Sequence, residues 1–369
     1  MAISFKTLTQ NDKTTSRTLL HEAIPISGDL ISNTYAKDAN NRGLNVKTFS
    51  HGMFQSVYDY PYVSSSANHL FDVTWGYANH ERVDESKEGS NIVSLVTNQE
   101  NKKKNIYSQM AQILAGYDIN GTVREFDFDG EYGEGDIIGT AAFISFSRLL
   151  VKDEIKKGSF SLTLGTGDAY ADQFSSEITL TDTLATSSYK INSPAGEFGL
   201  LFTGSSNAPG SPRGLIFYQA GIVVLPISAD EIGGTEADSN WYSADGNAPF
   251  TAKGAVLKDG TIDQFNDGFI RRIKEVQFNN TTELNSTIYF CRANNSEFNY
   301  SSNPTYLDGS KIRVKKDPGT KEELNLPRSY VTTVGLYSHD NELMAVAKLS
   351  EPIRKDPTNE LNLRVRLDY

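Results

Sequence analysis

The chain has 369 residues, of which 38% are apolar and 22% charged, and it carries a net charge of −11. Such a length exceeds what one compact core usually holds, so two or three packed units are expected, and the composition is that of a folded polypeptide. The acidic balance argues against direct binding to nucleic acid or to an anionic lipid surface, because either requires clustered Lys and Arg.

No run of about 18 apolar residues occurs, so membrane insertion is not expected. The amino terminus MAISFKTLTQNDKTTSRTLL lacks a basic segment followed by an apolar one, so no cleaved export signal is expected either. Val, Ile, Thr, Tyr and Phe are abundant and Gly, Asn, Asp and Ser punctuate the chain. The expected fold class is mainly β, a β-rich α+β chain of antiparallel sandwich-like domains with two or three short helices.

Residues 1–80 alternate short apolar pieces (LLHEAIPI, HLFDVTWGY) with polar text and are expected to form an extended arm with a few strands. Within them MFQSVYDYPYV gathers Phe54, Tyr58, Tyr60 and Tyr62, a cluster that suits a core plug and an interface anchor equally. Residues 80–105 are polar and read as a loop, in which Lys102, Lys103 and Lys104 form a solvated face or meet an acidic neighbour. Ile106, Met110, Ile113, Leu114 and Tyr117 then recur at helical spacing, with Asn105 as N-cap and Gly116 near the end.

From Asp118 to Pro226 strands dominate: AAFISFSRLLV, SFSLTLGTG, EITLTD, SYKIN, FGLLFTG and GLIFYQAGIVVLP, with KDEIKKG, ending at Gly158, as a helical turn. A β-rich domain with one short helix is therefore expected over 81–228 and an α+β domain over 229–369. In the latter, after a polar stretch over 229–254, Ile262, Phe265, Phe269, Ile270, Ile273 and Val276 predict a second helix despite Gly268. STIYFCRA, KIRV, YVTTVGLYS, LMAVAKLSEPI and LNLRVRLDY predict strands, the last alternating Leu361, Leu363, Val365, Leu367 and Tyr369 with polar residues. His339, Asp340 and Asn341 supply the turn of a final hairpin.

Motifs that carry chemistry are missing. The five histidines are His21, His51, His69, His80 and His339; His21 begins HEAIP, where Pro25 stands in the position that a second zinc-binding histidine would need. DFDGEYGEGD, over 127–136, is rich in carboxylates, but Gly130 is misplaced for a calcium-binding loop, and a solvated acidic hairpin is the expectation. GTGDAYAD, from Gly165, follows a strand without opening a helix, as a phosphate-binding loop would. Cys291 lies in an apolar run and reads as a small hydrophobe; as the single cysteine it excludes an internal disulfide and suits synthesis in a reducing cytoplasm. The sequon at Asn285 matters only in a eukaryotic secretory route, which nothing else suggests. Paired carboxylates of a glycosidase leave no motif, and among 46 Asp and Glu none is singled out. No catalytic, cofactor-binding or metal residue is assigned, no cofactor is expected, and the chain is not expected to be an enzyme.

Five phrases taken together point elsewhere: FSHGMFQSVYDYPYVSSSANHLFDVTWGY, INSPAGEFGLLFTG, GLIFYQAGIVVL, QFNNTTELNSTIYFCRANNSEFNYSSNPTY and YVTTVGLYSHDNELMAVAKLSEPI. They resemble virion structural proteins of contractile-tailed, T-even-like bacteriophages, notably those of marine cyanobacteria, over a span from about residue 17 to the C-terminus. The likeness is one of phrasing, so it transfers no residue roles. It implies a baseplate or tail subunit, made in the bacterial cytoplasm and resident in the virion. Its partners would be copies of itself and other phage structural proteins.

On that basis the N-terminal arm and the 80–105 loop are expected to wrap neighbouring chains, and deletion of residues 1–60 to leave the C-terminal domain folded but unable to join particles. Two alternatives remain: a capsid or head-decoration protein, and a host-glycan-binding module that stacks sugars on Trp75, Trp241 or the Tyr58–Tyr62 cluster.

Overall fold

A computed structural model describes residues 5–27, 43–64, 66–78, 99–132, 137–166, 174–203, 212–227, 261–300, 307–308, 311–312 and 327–369. The fold is mainly β with large antiparallel pairing, as composition predicts. In chain order the first strands are β1 (Lys13–Ser27), β2 (Val46–Thr48), β3 (Gln55–Tyr58) and β4 (His69–Tyr77), followed by helix α1 (Glu100–Leu114). Then come β5 (Thr140–Phe146), the one-turn helix α2 (Arg148–Val151), β6 (Glu154–Ile155), β7 (Ser161–Gly165), β8 (Glu177–Thr181), β9 (Lys190–Ser193), β10 (Gly196–Thr203), β11 (Gly214–Phe217) and β12 (Ile222–Pro226). Helix α3 (Ile262–Arg272) leads into β13 (Ile273–Ala293), β14 (Leu307–Asp308), β15 (Lys311–Ile312), β16 (Ser329–Tyr337), β17 (Leu343–Lys355) and β18 (Leu361–Asp368).

The chain divides into a central unit, Leu20–Thr282, and a terminal unit that joins Met1–Leu19 to Glu283–Tyr369. Strands β1 and β13 each run through the division. The expected boundaries near residues 80 and 228 are not where this partition falls, because hydrogen bonding across β1 and β13 ties the two chain ends together.

In the central unit the strand order is β13-β7-β8-β10-β11-β12-β5-β4-β3-β2, with β6 on β13 and β9 on β10. Strand β10 connects two sheets: Phe198–Leu201 pair with β11, whereas Phe202 and Thr203 pair with β8. The sheets face each other through aromatic side chains. Phe146 of β5 lies 5.1 Å from Phe278 of β13 and 6.1 Å from Phe160. Phe198 stacks on Phe217 at 5.0 Å. Fully burying one such ring contributes roughly 1.5–3 kcal/mol.

The two longer helices cover β4, and both have local reasons to form. In α1, Ile106, Tyr107, Ala111 and Leu114 share a buried face. Gly116, at φ +82°, ends it by donating its N–H to the Ala111 carbonyl at 2.9 Å. In α3, the Thr261 hydroxyl accepts from the Gln264 N–H at 3.2 Å, and the Gln264 side chain accepts from the Thr261 N–H at 2.9 Å. That reciprocal cap, Asp263 in the first turn and Arg271 and Arg272 in the last all favour a helix here. Gly76 allows α1 to lie directly on β4, since a Cβ there would stand 2.3 Å from the Lys103 carbonyl oxygen.

Several expectations are corrected. Residues 46–77 are not part of an arm: Val57, Phe71, Val73 and Trp75 are fully buried, and β2, β3 and β4 extend the central sheet. The polar text before Asn105 is helical from Glu100 with Gln99 as N-cap, because Lys103 and Ile106 find a buried face; residues 79–98 lie outside the described residues. Ile113 and Tyr117 are exposed rather than part of the helix's packed stripe. The helical turn sits at Arg148–Val151 and KDEIKKG contributes β6, whose Ile155 pairs with Asn280. The second helix stops at Arg272; Ile273 and Val276 are buried as part of β13, with no loop between helix and strand.

Candidate interaction surface

The hydrophobic core cluster runs from Ile26 to Phe278 and so belongs entirely to the central unit. In the terminal unit, Val365 is the buried apolar side chain among the described residues; the other buried side chains there are Ser286, Thr287, Lys355 and Asp356. These polar groups are satisfied internally. Ser286 donates to Asp368 at 2.5 Å, Thr287 meets the Tyr369 hydroxyl at 3.1 Å, and the Lys355 ammonium donates to Asn299 Oδ1 at 2.7 Å and to the Asp356 carbonyl at 2.9 Å.

The strands of this unit are long for globular proteins, whose strands usually have about 5–6 residues. β17 has 13 residues, and the part of β13 that lies in this unit, Glu283–Ala293, has 11 of that strand's 21. Strand β18 pairs along β13 from Ser286↔Asp368 to Ala293↔Leu361, and the alternation predicted for LNLRVRLDY holds from Leu361 to Leu367, with Val365 buried, whereas Tyr369 lies beyond the strand and is exposed. Its inward residues Leu361, Leu363 and Leu367 are only half-buried. β1 is the edge next to β13, and every side chain from Lys13 to Ala23 is exposed, Leu19 and Leu20 included. Pro25 falls on this edge strand, the place in a sheet where proline is tolerated.

The final hairpin forms as predicted. β16 and β17 pair antiparallel, Asn341 adopts φ +64°, and the Ser338 N–H donates to the Glu342 carbonyl at 2.8 Å. Among the described residues it is a sheet of two strands alone. Along β16 no side chain is buried; Tyr330, Tyr337, Leu343, Met344 and Val346 stand 46–70% exposed. Exposed ion pairs, Lys6 to Glu297 at 2.6 Å and Arg292 to Asp12 at 2.8 Å, fasten the N-terminal residues within the unit. Each such pair adds at most about 1 kcal/mol, far less than a buried core would.

The residues singled out for chemistry are dispersed. His21 Nδ1 lies 3.2 Å from Thr281 Oγ1, His51 accepts from the Met53 N–H at 3.1 Å, His339 is exposed at the hairpin turn, and His80 lies outside the described residues. His69 does meet a carboxylate and a serine: its Nε2 is 2.8 Å from Asp72 Oδ1, to which Ser56 Oγ also donates, at 2.5 Å. The order is wrong for a nucleophile, because the aspartate stands between the imidazole and the hydroxyl. The hydrogen bond to Asp72 raises the His69 pKa.

In the acidic loop, Asp127 is buried and its backbone bridges to Ile137, while its carboxylate accepts from the Asp129 N–H at 3.0 Å; residues 133–136 are outside the described set. GTGDAYAD lies outside it beyond Thr166, as does Trp241. Cys291 is half-buried on β13, and burial together with Asp12 pushes its thiol pKa up, away from thiolate reactivity.

Lys103 is fully buried with its ammonium 4.8 Å from the Trp75 ring, so neither is a surface group; Lys102 donates to the His51 carbonyl, and Lys104 pairs with Glu100. Trp75 therefore offers no face to a sugar, whereas Tyr60 and Tyr62 are 50% and 40% exposed and Tyr58 is half-buried against His69. No helix among the described residues is long and apolar enough to cross a membrane. No family model, curated protein or solved structure matches this chain.

Proposed function

We propose that this chain is a structural subunit of a tailed-bacteriophage particle, stationed in the baseplate or tail, that acts by burying its terminal strands against neighbouring chains. One observation carries the assembly part: the terminal unit has long strands and, among its described residues, a single buried apolar side chain, Val365. Hairpins and small sheets without a covered face are marginal in water, and chains built this way gain their stability from association. The phage assignment rests on the phrases quoted from the sequence.

The test is localisation in purified particles. Antibody raised against this chain should label the tail or baseplate, in a copy number far below that of the head proteins; a copy number in the hundreds would move it to the capsid. Absence of the chain from purified virions would overturn the reading.

A further inference from the structure

We propose that Asn120 is a site of spontaneous covalent modification, at which the Gly121 backbone nitrogen displaces ammonia from the side-chain amide and aspartate and isoaspartate result. The inference goes beyond the assembly reading and does not depend on it.

The chain contains a single Asn–Gly pair, at 120–121. It forms the tip of a tight turn that follows α1, where Tyr117 and Val123 bridge antiparallel. The Asp118 N–H donates to the Thr122 carbonyl at 2.8 Å, and the Asp118 carboxylate accepts from the N–H groups of Asn120 and Thr122, each at 2.8 Å. The Gly121 N–H makes the longest of these bonds, 3.2 Å to the Asp118 carbonyl, so the reacting nitrogen is the least firmly held amide of the turn. Asn120 and Gly121 are exposed, and Ile119 beside them is 98% exposed. Gly121 adopts φ +80°, as the last residue of such a turn requires, and no atom lies within 4 Å of the place its Cβ would take. Neither a side chain of its own nor a neighbour obstructs the approach to the Asn120 amide carbon.

Other places that could close the same ring are obstructed. At Asp129–Gly130 the Phe198 ring stands 2.8 Å from the position of a Gly130 Cβ, and Asp267–Gly268 is buried within α3. Asn192 and Asn285, each followed by Ser, lie in β9 and β13. Asn295–Ser296 is exposed in a turn, but there the successor carries a side chain.

The step needs water alone. The bond from the Gly121 nitrogen to Cγ forms as the bond from Cγ to Nδ2 breaks, and the Gly121 amide proton passes through solvent to the departing nitrogen, which leaves as ammonia. Water opens the resulting cyclic imide at Cγ to give aspartate, or at the main-chain carbonyl to give isoaspartate, whose backbone runs through Cβ and Cγ. Either product adds a negative charge to a chain already at −11. The lengthened backbone of isoaspartate is incompatible with the Asp118–Thr122 pairing, so the modification also undoes the turn.

The test holds the folded full-length chain in mildly alkaline buffer at physiological temperature and maps its peptides over time by mass spectrometry, with isoaspartyl methyltransferase labelling. Conversion at Asn120 should precede conversion at Asn295, and isoaspartate should be among the products. Gly121→Asn supplies a side chain that tolerates positive φ and so keeps the turn; it should reduce conversion of Asn120 to that of Asn295 in the same sample. Equal conversion of Asn120 and Asn295 in the wild type, aspartate formed without isoaspartate, a rate unaltered by Gly121→Asn, or conversion seen only after unfolding in urea would overturn the proposal.

Discussion

The ammonium of Lys103 lies 4.8 Å from the centroid of the Trp75 ring, and both side chains are completely withdrawn from water. Trp75 sits on β4 under α1, with Phe265 of α3 at 5.2 Å on another side, so one indole joins both helices to the sheet. Trp75→Ala should cost about 3–5 kcal/mol through the cavity and the loss of the ring face beneath a desolvated cation. Urea unfolding followed by far-ultraviolet circular dichroism measures it; a loss under about 1 kcal/mol would mean the helices do not depend on this contact.

Gly76→Ala should destabilise the same contact without removing any group. The new methyl would meet the backbone of α1, 2.3 Å from the Lys103 carbonyl oxygen and 2.9 Å from the Tyr107 nitrogen, so the helix must move off the strand. About 1–3 kcal/mol is expected, as for other overpacked sites. An unchanged unfolding midpoint would show that α1 is free to shift.

Asp182 is fully buried and accepts from the Gly158 and Phe160 N–H groups, each at 2.8 Å, and from the Tyr218 hydroxyl at 2.9 Å. Burial outweighs these donors and raises its pKa above the ordinary carboxylate value. The folded state therefore holds more protons than the unfolded one between the ordinary value, near about 3.9, and the raised one. Through that window stability falls as pH rises. Asp182→Asn should flatten that part of the stability profile, and a profile unaltered by the substitution would contradict the assignment.

His69 behaves in the opposite chemical sense but with the same sign. Hydrogen bonding to Asp72 raises its pKa, so the protonated imidazole stabilises the fold fully below the unfolded value near about 6.5, and the contribution is lost as pH rises through the folded value. The stability difference between the wild type and His69→Gln should shrink from acid to alkaline pH. A constant difference would assign His69 a packing role alone.

Removing residues 1–60 should abolish the central fold, contrary to what an arm would allow. β3 carries the fully buried Gln55 and Val57 and pairs with β4 from Gln55↔Val73 to Tyr58↔His69. Gln55 also donates to Asp267 of α3 at 2.8 Å. The truncated chain is expected in the insoluble fraction; a soluble product with cooperative unfolding would refute this.

Where one face of an element is wet, its nature was legible in the residues. Leu361 to Asp368 alternates as a strand with one covered side must, Asn341 tolerates the positive φ of its turn, and Ile106, Met110 and Leu114 repeat at the helical period. Where both faces are covered, the pattern misleads. In His69–Tyr77, Phe71, Val73, Trp75 and Tyr77 alternate with Asp72, Thr74 and Gly76 as on a strand with one wet face, yet Thr74 is buried and Gly76 lies directly against α1. Ile273 and Val276 fit a helical stripe as well as a strand, and only pairing with Leu164 and Leu162 of β7 decides between them.

The sequence by itself determined strand content, turn positions and charge, because these depend on each residue and its near neighbours. The tertiary structure alone decided that Lys103 is buried, since that depends on a glycine 27 positions away in the chain. It also decided that, among the described residues, the core cluster ends at Phe278 and includes no side chain of the terminal strands, because burial belongs to long-range pairing and not to local pattern.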